Sequence, residues 1–217
     1  KWDILILDRS ASMIHNMDKL KHGFNNLVDE QKNIQLNSRL TVIGFNSVVE
    51  IIKDEYFPNV YPLEDSHYYA LGMTALLDAV GNAYDLIIAD PKYDDITLTV
   101  ITDGEENCSK YYDFKILDEK KIQINKTRNL KFVFMGADSR CIENNIIKPH
   151  VNQSLNYRGD IIQAMRTASQ SISRESLINK DSSQDYVESK PFLKRDSSIL
   201  HNDPPSVKKC KGVCSAS

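Results

Sequence analysis

Apolar residues follow two rhythms along this chain. The unbroken run at residues 4–7 (Ile-Leu-Ile-Leu) is too short for a helix and lacks polar alternation, so it reads as a strand buried on both faces; 40–45, 96–101 and 130–136, predominantly apolar, read as further strands. Between them, apolar positions recur at helical spacing. Leu20, Phe24, Leu27 and Val28 mark a helix over 17–32, and Leu76, Val80, Ala83 and Ile87 one over 71–89 that Asp90-Pro91 stops. Ile161, Ile162, Met165, Ala168 and Ile172 mark a third over 160–178, and further helices are expected over 112–127 and 141–147. A strand over 48–52 follows its predecessor after only Asn46 and Ser47, which permits a hairpin and forbids a parallel crossover. Residues 53–69, with Pro58 and Pro62, read as an irregular surface excursion, and 153–157 as a sixth strand.

Strands that alternate with helices predict an α/β fold: a doubly wound, mostly parallel six-stranded sheet with one antiparallel edge strand and helices on both faces. The domain should occupy residues 1–178. From Asn179 onward Ser, Lys, Asp and Pro dominate without apolar period, so 179–217 reads as a disordered C-terminal tail. A functional site in such a sheet lies beyond the carboxyl ends of the strands, where strand order reverses.

Composition narrows the function by exclusion. The 217 residues carry 27 basic and 30 acidic side chains, a net charge of −3, which leaves no electrostatic footprint for nucleic acid or an anionic membrane surface. No apolar run is long enough for a transmembrane segment. Four cysteines, at 108, 141, 210 and 214, match neither a disulfide scaffold nor a four-ligand zinc site, so free thiols are the default; the expected setting, which the cysteines do not decide, is cytoplasmic. The last four residues, Cys214-Ser215-Ala216-Ser217, are a loose match to a prenylation box, which makes a lipid-anchored C-terminus the alternative. Oligomeric state is not legible.

The chemistry gathers at strand ends. Asp8, Ser10 and Ser12 form D-x-S-x-S directly after the first buried strand, and Asp103 lies in a Thr102-Asp103-Gly104 turn after another. Thr74 follows Gly72 at the expected opening of a helix. Two carboxylates and three hydroxyls make an oxygen shell suited to Mg²⁺ or Mn²⁺, with few charges, which would leave the cation electrophilic. Each feature also has a plain structural role: an N-cap for Thr74 or Ser12, a turn for Asp103-Gly104, a solvated rim for Glu105 and Glu106, a loop position for His15, an inert thiol for Cys108.

These motifs, in this order on these element types, resemble the metal-ion-dependent adhesion site of the von Willebrand factor A domain family, in the look of its intracellular bacterial and phage members. Ala11 departs from the glycine frequent at its position. The resemblance implies that Ser10, Ser12 and Thr74 touch a metal through hydroxyls while Asp8 and Asp103 act directly or through water. It further implies a protein partner that presents Asp or Glu to the open metal position, and no catalysis. The alternative is a Mg²⁺-dependent phosphoryl-transfer or hydrolase enzyme with Asp8 as nucleophile. It fits less well, because Ser10 stands where such sites usually place a second carboxylate, and no phosphate-binding glycine loop is present.

Overall fold

The computed structural model of the protein describes residues 1–137, 152–158, 160–173 and 186–187. Its strands are β1 (Trp2–Asp8), β2 (Arg39–Phe45), β3 (Val49–Tyr56), β4 (Asp95–Thr102), β5 (Asn129–Gly136), β6 (Gln153–Asn156) and β7 (Tyr186–Val187). The helices are α1 (Met17–Gln31), α2 (Leu76–Ala89), α3 (Phe114–Asn125) and α4 (Ile161–Ile172). One sheet holds the strands in the order β3-β2-β1-β4-β5-β6-β7. Strands β1, β2, β4, β5 and β6 are parallel, and β3 is the antiparallel edge that its short link required. All six expected strands form; the two-residue β7, within the stretch read as tail, adds an antiparallel rung on β6. The rest of 174–217, and the short helix expected at 141–147, lie outside the described residues.

Every residue of β1 is buried, and its side chains alternate between two cores. Ile4 and Ile6 join α2 and α3 on one face, through Leu76, Val80, Ala83, Tyr84 and Leu117. Leu5 and Leu7 join α1 and α4 on the other, through Leu20, Phe24, Leu27, Ile161, Met165 and Ala168. A strand covered on both sides tolerates no polar alternation, which is why its sequence is an unbroken apolar run. Among the described residues no helix is long and apolar enough to cross a membrane.

The structure differs from the sequence reading in four places. Residues 53–69 are no surface excursion, because Phe57, Val60, Leu63 and Tyr68 pack into the core with α1 and α4, and α4 ends at Ile172 instead of 178. Strand β3 continues through Tyr56, because Glu50, Asp54 and Glu55 stand exposed at an open edge, with only Lys53 buried among its charged residues; Asp54 takes hydrogen bonds from Arg39 (2.7 Å) and Thr41 (2.8 Å). Helix α2 begins at Leu76, not near 71. Gly72 has φ +82°, a left-handed conformation that interrupts any helix there, and residues 71–75 bond to other loops instead.

Helix α2 also carries a close approach: a Cβ on Gly81 would stand 2.2 Å from the Tyr112 ring. Alanine is the better helix former by ~1 kcal/mol, while overpacking costs ~1–3 kcal/mol. Gly81→Ala is therefore expected to lower the urea midpoint by the equivalent of about 1 kcal/mol; an unchanged or raised midpoint would show that the ring yields freely.

Candidate functional site

Strand order reverses between β1 and β4. The chain leaves β1 toward β2 and leaves β4 toward β5, in opposite directions, so a crevice opens above their carboxyl ends. Asp8 is the last residue of β1, and Asp103 follows the last residue of β4. After Asp8 the chain makes a tight 3₁₀ turn over Ala11–His15, pinned by the fully buried Met13, which holds Ser10 and Ser12 over the crevice.

Thr74 arrives on a strap, residues 71–75, that several loops hold in place. Leu71 N–H donates to the Arg9 carbonyl (2.9 Å), Ala11 N–H to the Gly72 carbonyl (3.0 Å) and Ala75 N–H to the Asn46 carbonyl (2.8 Å). Met73 N–H reaches Ser47 Oγ (3.0 Å) and Thr74 N–H reaches Asn107 Oδ1 (2.8 Å). The backbone groups that a helix would use internally are thus engaged by three other segments, and Thr74 becomes a site residue instead of a cap.

The five expected residues come together. Ser10 and Ser12 hydroxyls are 2.9 Å apart, and Ser12 donates to Asp103 Oδ1 at 2.6 Å. Ser10 N–H donates to Asp8 Oδ1 at 2.7 Å, and the Thr102 hydroxyl donates to Asp8 Oδ2. A Cβ on Gly104 would stand 3.2 Å from Thr74 Oγ1 and 3.7 Å from both Asp8 Oδ2 and Ser12 Oγ. Oxygens from the first loop and from the strap therefore face one point, which the absent side chain of Gly104, on the loop after β4, leaves open. Among the described residues no group of three His, Cys, Asp or Glu side chains is placed to hold a metal. Any cation here would depend on the hydroxyls.

The electrostatics are unusual. Asp8 is fully buried, and burial pushes its carboxyl up to about 6, against the opposing hydrogen bonds from Thr102 and Ser10; the charge of Asp103 adds to the rise. Burial also raises Asp103, while Ser12 and Asn16 hold it down. Among the described residues the buried cation nearby is Arg9, and it is turned elsewhere. Its guanidinium meets Glu50 (3.0 Å), the carbonyls of His67 (3.3 Å) and Gly44 (3.4 Å), and the Tyr69 ring (5.0 Å to the centroid).

Several residues that organise the site were not singled out by sequence. Arg9 ties the β2–β3 hairpin to the segment leading into the strap. The Tyr68 hydroxyl donates to the Asp8 carbonyl, and that of Tyr157 to the Thr102 carbonyl (3.2 Å). Glu106 is no solvated rim: its carboxylate accepts from Leu77 N–H (2.9 Å), Cys108 N–H (3.0 Å), Ser109 N–H (2.8 Å) and the Ser109 hydroxyl (2.7 Å). It therefore caps the first turn of α2 from another loop, where the helix dipole favours negative charge. Asp78, in that same turn, accepts from the successive N–H groups of Lys110, Tyr111 and Tyr112. Glu105 is exposed, as expected, and Cys108 is a half-buried thiol that burial pushes up. His15 stands exposed at the end of the 3₁₀ turn.

A raised carboxyl pKa means that the fold prefers the protonated form, so Asp8 lowers metal-free stability as pH rises from its unfolded value of 3.8 through about 6. Above that window the cost is about 3 kcal/mol. Asp8→Asn should accordingly raise the urea midpoint of the EDTA-treated protein at pH 7.5 and flatten its decline between pH 5 and 7. A lower midpoint would mean that the ionised carboxylate stabilises the fold.

No family model matches the chain, and no curated protein matches it. Solved structures do. The PilB minor pilin from Streptococcus sanguinis is similar at 11% identity and TM-score 0.58, over 79% of this chain and 61% of that one. A von Willebrand factor type A protein from Catenulispora acidiphila is similar at 12% identity and TM-score 0.51, over 78% and 42%. The pilus adhesin SpaC from Lactobacillus rhamnosus GG is similar at 14% identity and TM-score 0.52, over 78% and 30%. The chain thus spans about three fifths of the pilin and less than half of the other two. At such identities the likeness is one of fold, and that fold is the Rossmann-like fold of von Willebrand factor A domains.

Proposed function

We propose that the protein is a binding module in which a Mg²⁺ or Mn²⁺ ion, held by Asp8, Ser10, Ser12, Thr74 and Asp103, accepts an Asp or Glu side chain from a protein partner. The observation that carries this reading is the convergence of Thr74 Oγ1, Asp8 Oδ2 and Ser12 Oγ on the space that Gly104 leaves open. The donor set fits: every donor is a hard oxygen, and a buried carboxylate without a neighbouring cation is what a divalent ion would complement. Ser10, Ser12 and Thr74 would bind through hydroxyls, Asp8 and Asp103 directly or through water. When bound, the ion would supply an electrophilic position for an outside carboxylate oxygen.

This chain's own residues prepare that position. The Thr102 hydroxyl and Ser10 N–H orient Asp8, Ser12 joins the first loop to Asp103, and the strap presents Thr74 from the opposite side. Neutral inner donors would leave the ion's charge incompletely cancelled, which favours an anionic partner. Two of the similar structures are by name a pilin and a pilus adhesin, which accords with binding over catalysis. The enzyme reading needs Asp8 as a nucleophile, yet Asp8 is fully buried with both carboxylate oxygens engaged.

Calorimetric titration of the EDTA-stripped chain with Mg²⁺ and with Mn²⁺ tests the reading. One site is expected, with affinity lowered at least tenfold by Asp103→Ala or Thr74→Ala while the urea midpoints stay near that of the parent. An unchanged titration in both variants would overturn it. Protons compete for Asp8, so affinity should also fall about fourfold between pH 7.5 and 5.5, given its pKa of about 6.

A further inference from the structure

Large apolar side chains crowd the loops around the candidate site. Leu71 is 65% exposed and Met73 54%, on the strap that delivers Thr74, and Val48 is 66% exposed in the β2–β3 turn. The two loops abut: Met73 N–H donates to Ser47 Oγ, and a Cβ on Gly72 would stand 2.9 Å from the same oxygen. Ile14, two residues beyond Ser12, is 57% exposed. With Tyr69 and Tyr111, six of the twelve exposed large apolar side chains among the described residues lie on the loops at this end of the sheet. Singly exposed apolar residues need no explanation, but a group around a polar crevice marks a surface that another molecule covers.

The backbone of the strap is fixed by hydrogen bonds to the first loop and the β2–β3 turn, so Leu71 and Met73 are held outward instead of being free to fold back. Gly72, left-handed between them, reverses the chain so that neither joins α2. Charge on the same loops is net acidic: Asp8, Asp103, Glu105 and Glu106 stand against Lys110, while Glu50 is paired with Arg9. A ligand that brought several carboxylates would be repelled by this excess, whereas a single carboxylate among neutral apolar groups would meet the metal and the apolar rim together.

We infer that the partner is a peptide segment with one Asp or Glu flanked by apolar side chains, which the apolar rim of Leu71, Met73 and Val48 covers while the acid reaches the metal. This deepens the proposed function and rests on it. Specificity then has two separable parts: the metal selects the carboxylate, and the rim selects its neighbours. Covering one Leu or Met side chain fully is worth about tenfold or more in affinity.

The test is a linear-peptide phage library panned on the full chain in Mg²⁺ and in EDTA, with recovered peptides synthesised and titrated against the Leu71→Ser/Met73→Ser double variant. Both replaced residues are exposed, so the variant should fold and should keep its Mg²⁺ affinity within twofold of the parent. The expected result is a set of Mg²⁺-dependent peptides with one acid and apolar neighbours, bound at least tenfold more weakly by the variant. Recovery of acids with polar or basic neighbours, no Mg²⁺-dependent recovery, or equal binding by the variant would overturn the inference while an intact Mg²⁺ titration left the metal site standing. Peptides recovered equally in EDTA, together with a flat Mg²⁺ titration, would overturn the metal reading as well. Mg²⁺-dependent self-association lost in the variant would assign the rim to a second copy of the chain and overturn the peptide partner.

Discussion

A carboxylate buried at the end of β1, with no positive charge among the described residues turned toward it, is the constraint on which the upper end of this protein depends. Asp8 cannot be hydrated, and its two oxygens are held by a backbone N–H and a hydroxyl, which soften the burial cost without cancelling it. Around it the fold places further oxygens, those of Ser10, Ser12, Thr74 and Asp103, where a basic neighbour would have relieved the cost directly. This uncompensated carboxylate is what the proposed cation would complement.

The opposite end of the sheet shows what the fold does when charge is only structural. Arg39 lies between Asp54 (2.5 Å) and Asp90 (2.8 Å), with its guanidinium 4.4 Å from the centre of the Trp2 ring. Asp3, also raised to about 6 by burial, has the Lys1 ammonium at 3.1 Å. Even Arg9, one residue from Asp8, is paired with Glu50 on the far side of its own loop. Charge among the described residues is mostly matched; Lys53, buried against the Tyr61 ring without a hydrogen-bond partner, is one exception, and Asp8, at the topological switch point where open α/β sheets bind their ligands, is the other.

The sheet was legible because burial on both faces writes itself as short apolar runs, and the Asn46-Ser47 link dictated the antiparallel edge. Helix bodies were legible through their stripes, and Asp8, Ser10, Ser12 and Asp103 through spacing at strand ends. What could not be read depends on contacts distant in sequence. Thr74 was identified as a residue but assigned to a helix, because nothing local announces that Arg9, Asn46, Ser47 and Asn107 engage the strap backbone. Glu106 looks like solvated charge in a run of acids, and only the folded loop shows it capping α2. The outer half of β3 was missed because an edge strand can be charged throughout, which erases the pattern on which strand recognition rests.

The measurement that tests the central claim most directly is the stability of the protein against pH, by urea unfolding from pH 5 to 8, in EDTA and in saturating Mg²⁺. In EDTA the Asp8 contribution should decline as pH rises through about 6, since the folded state holds the proton more tightly than the unfolded one. Mg²⁺ bound to the ionised carboxylate would depress that pKa below its unfolded value, so the difference between the two curves should grow as pH rises and level off near neutrality. Superimposed curves across the whole range would contradict the claim that Asp8 is buried to meet a cation.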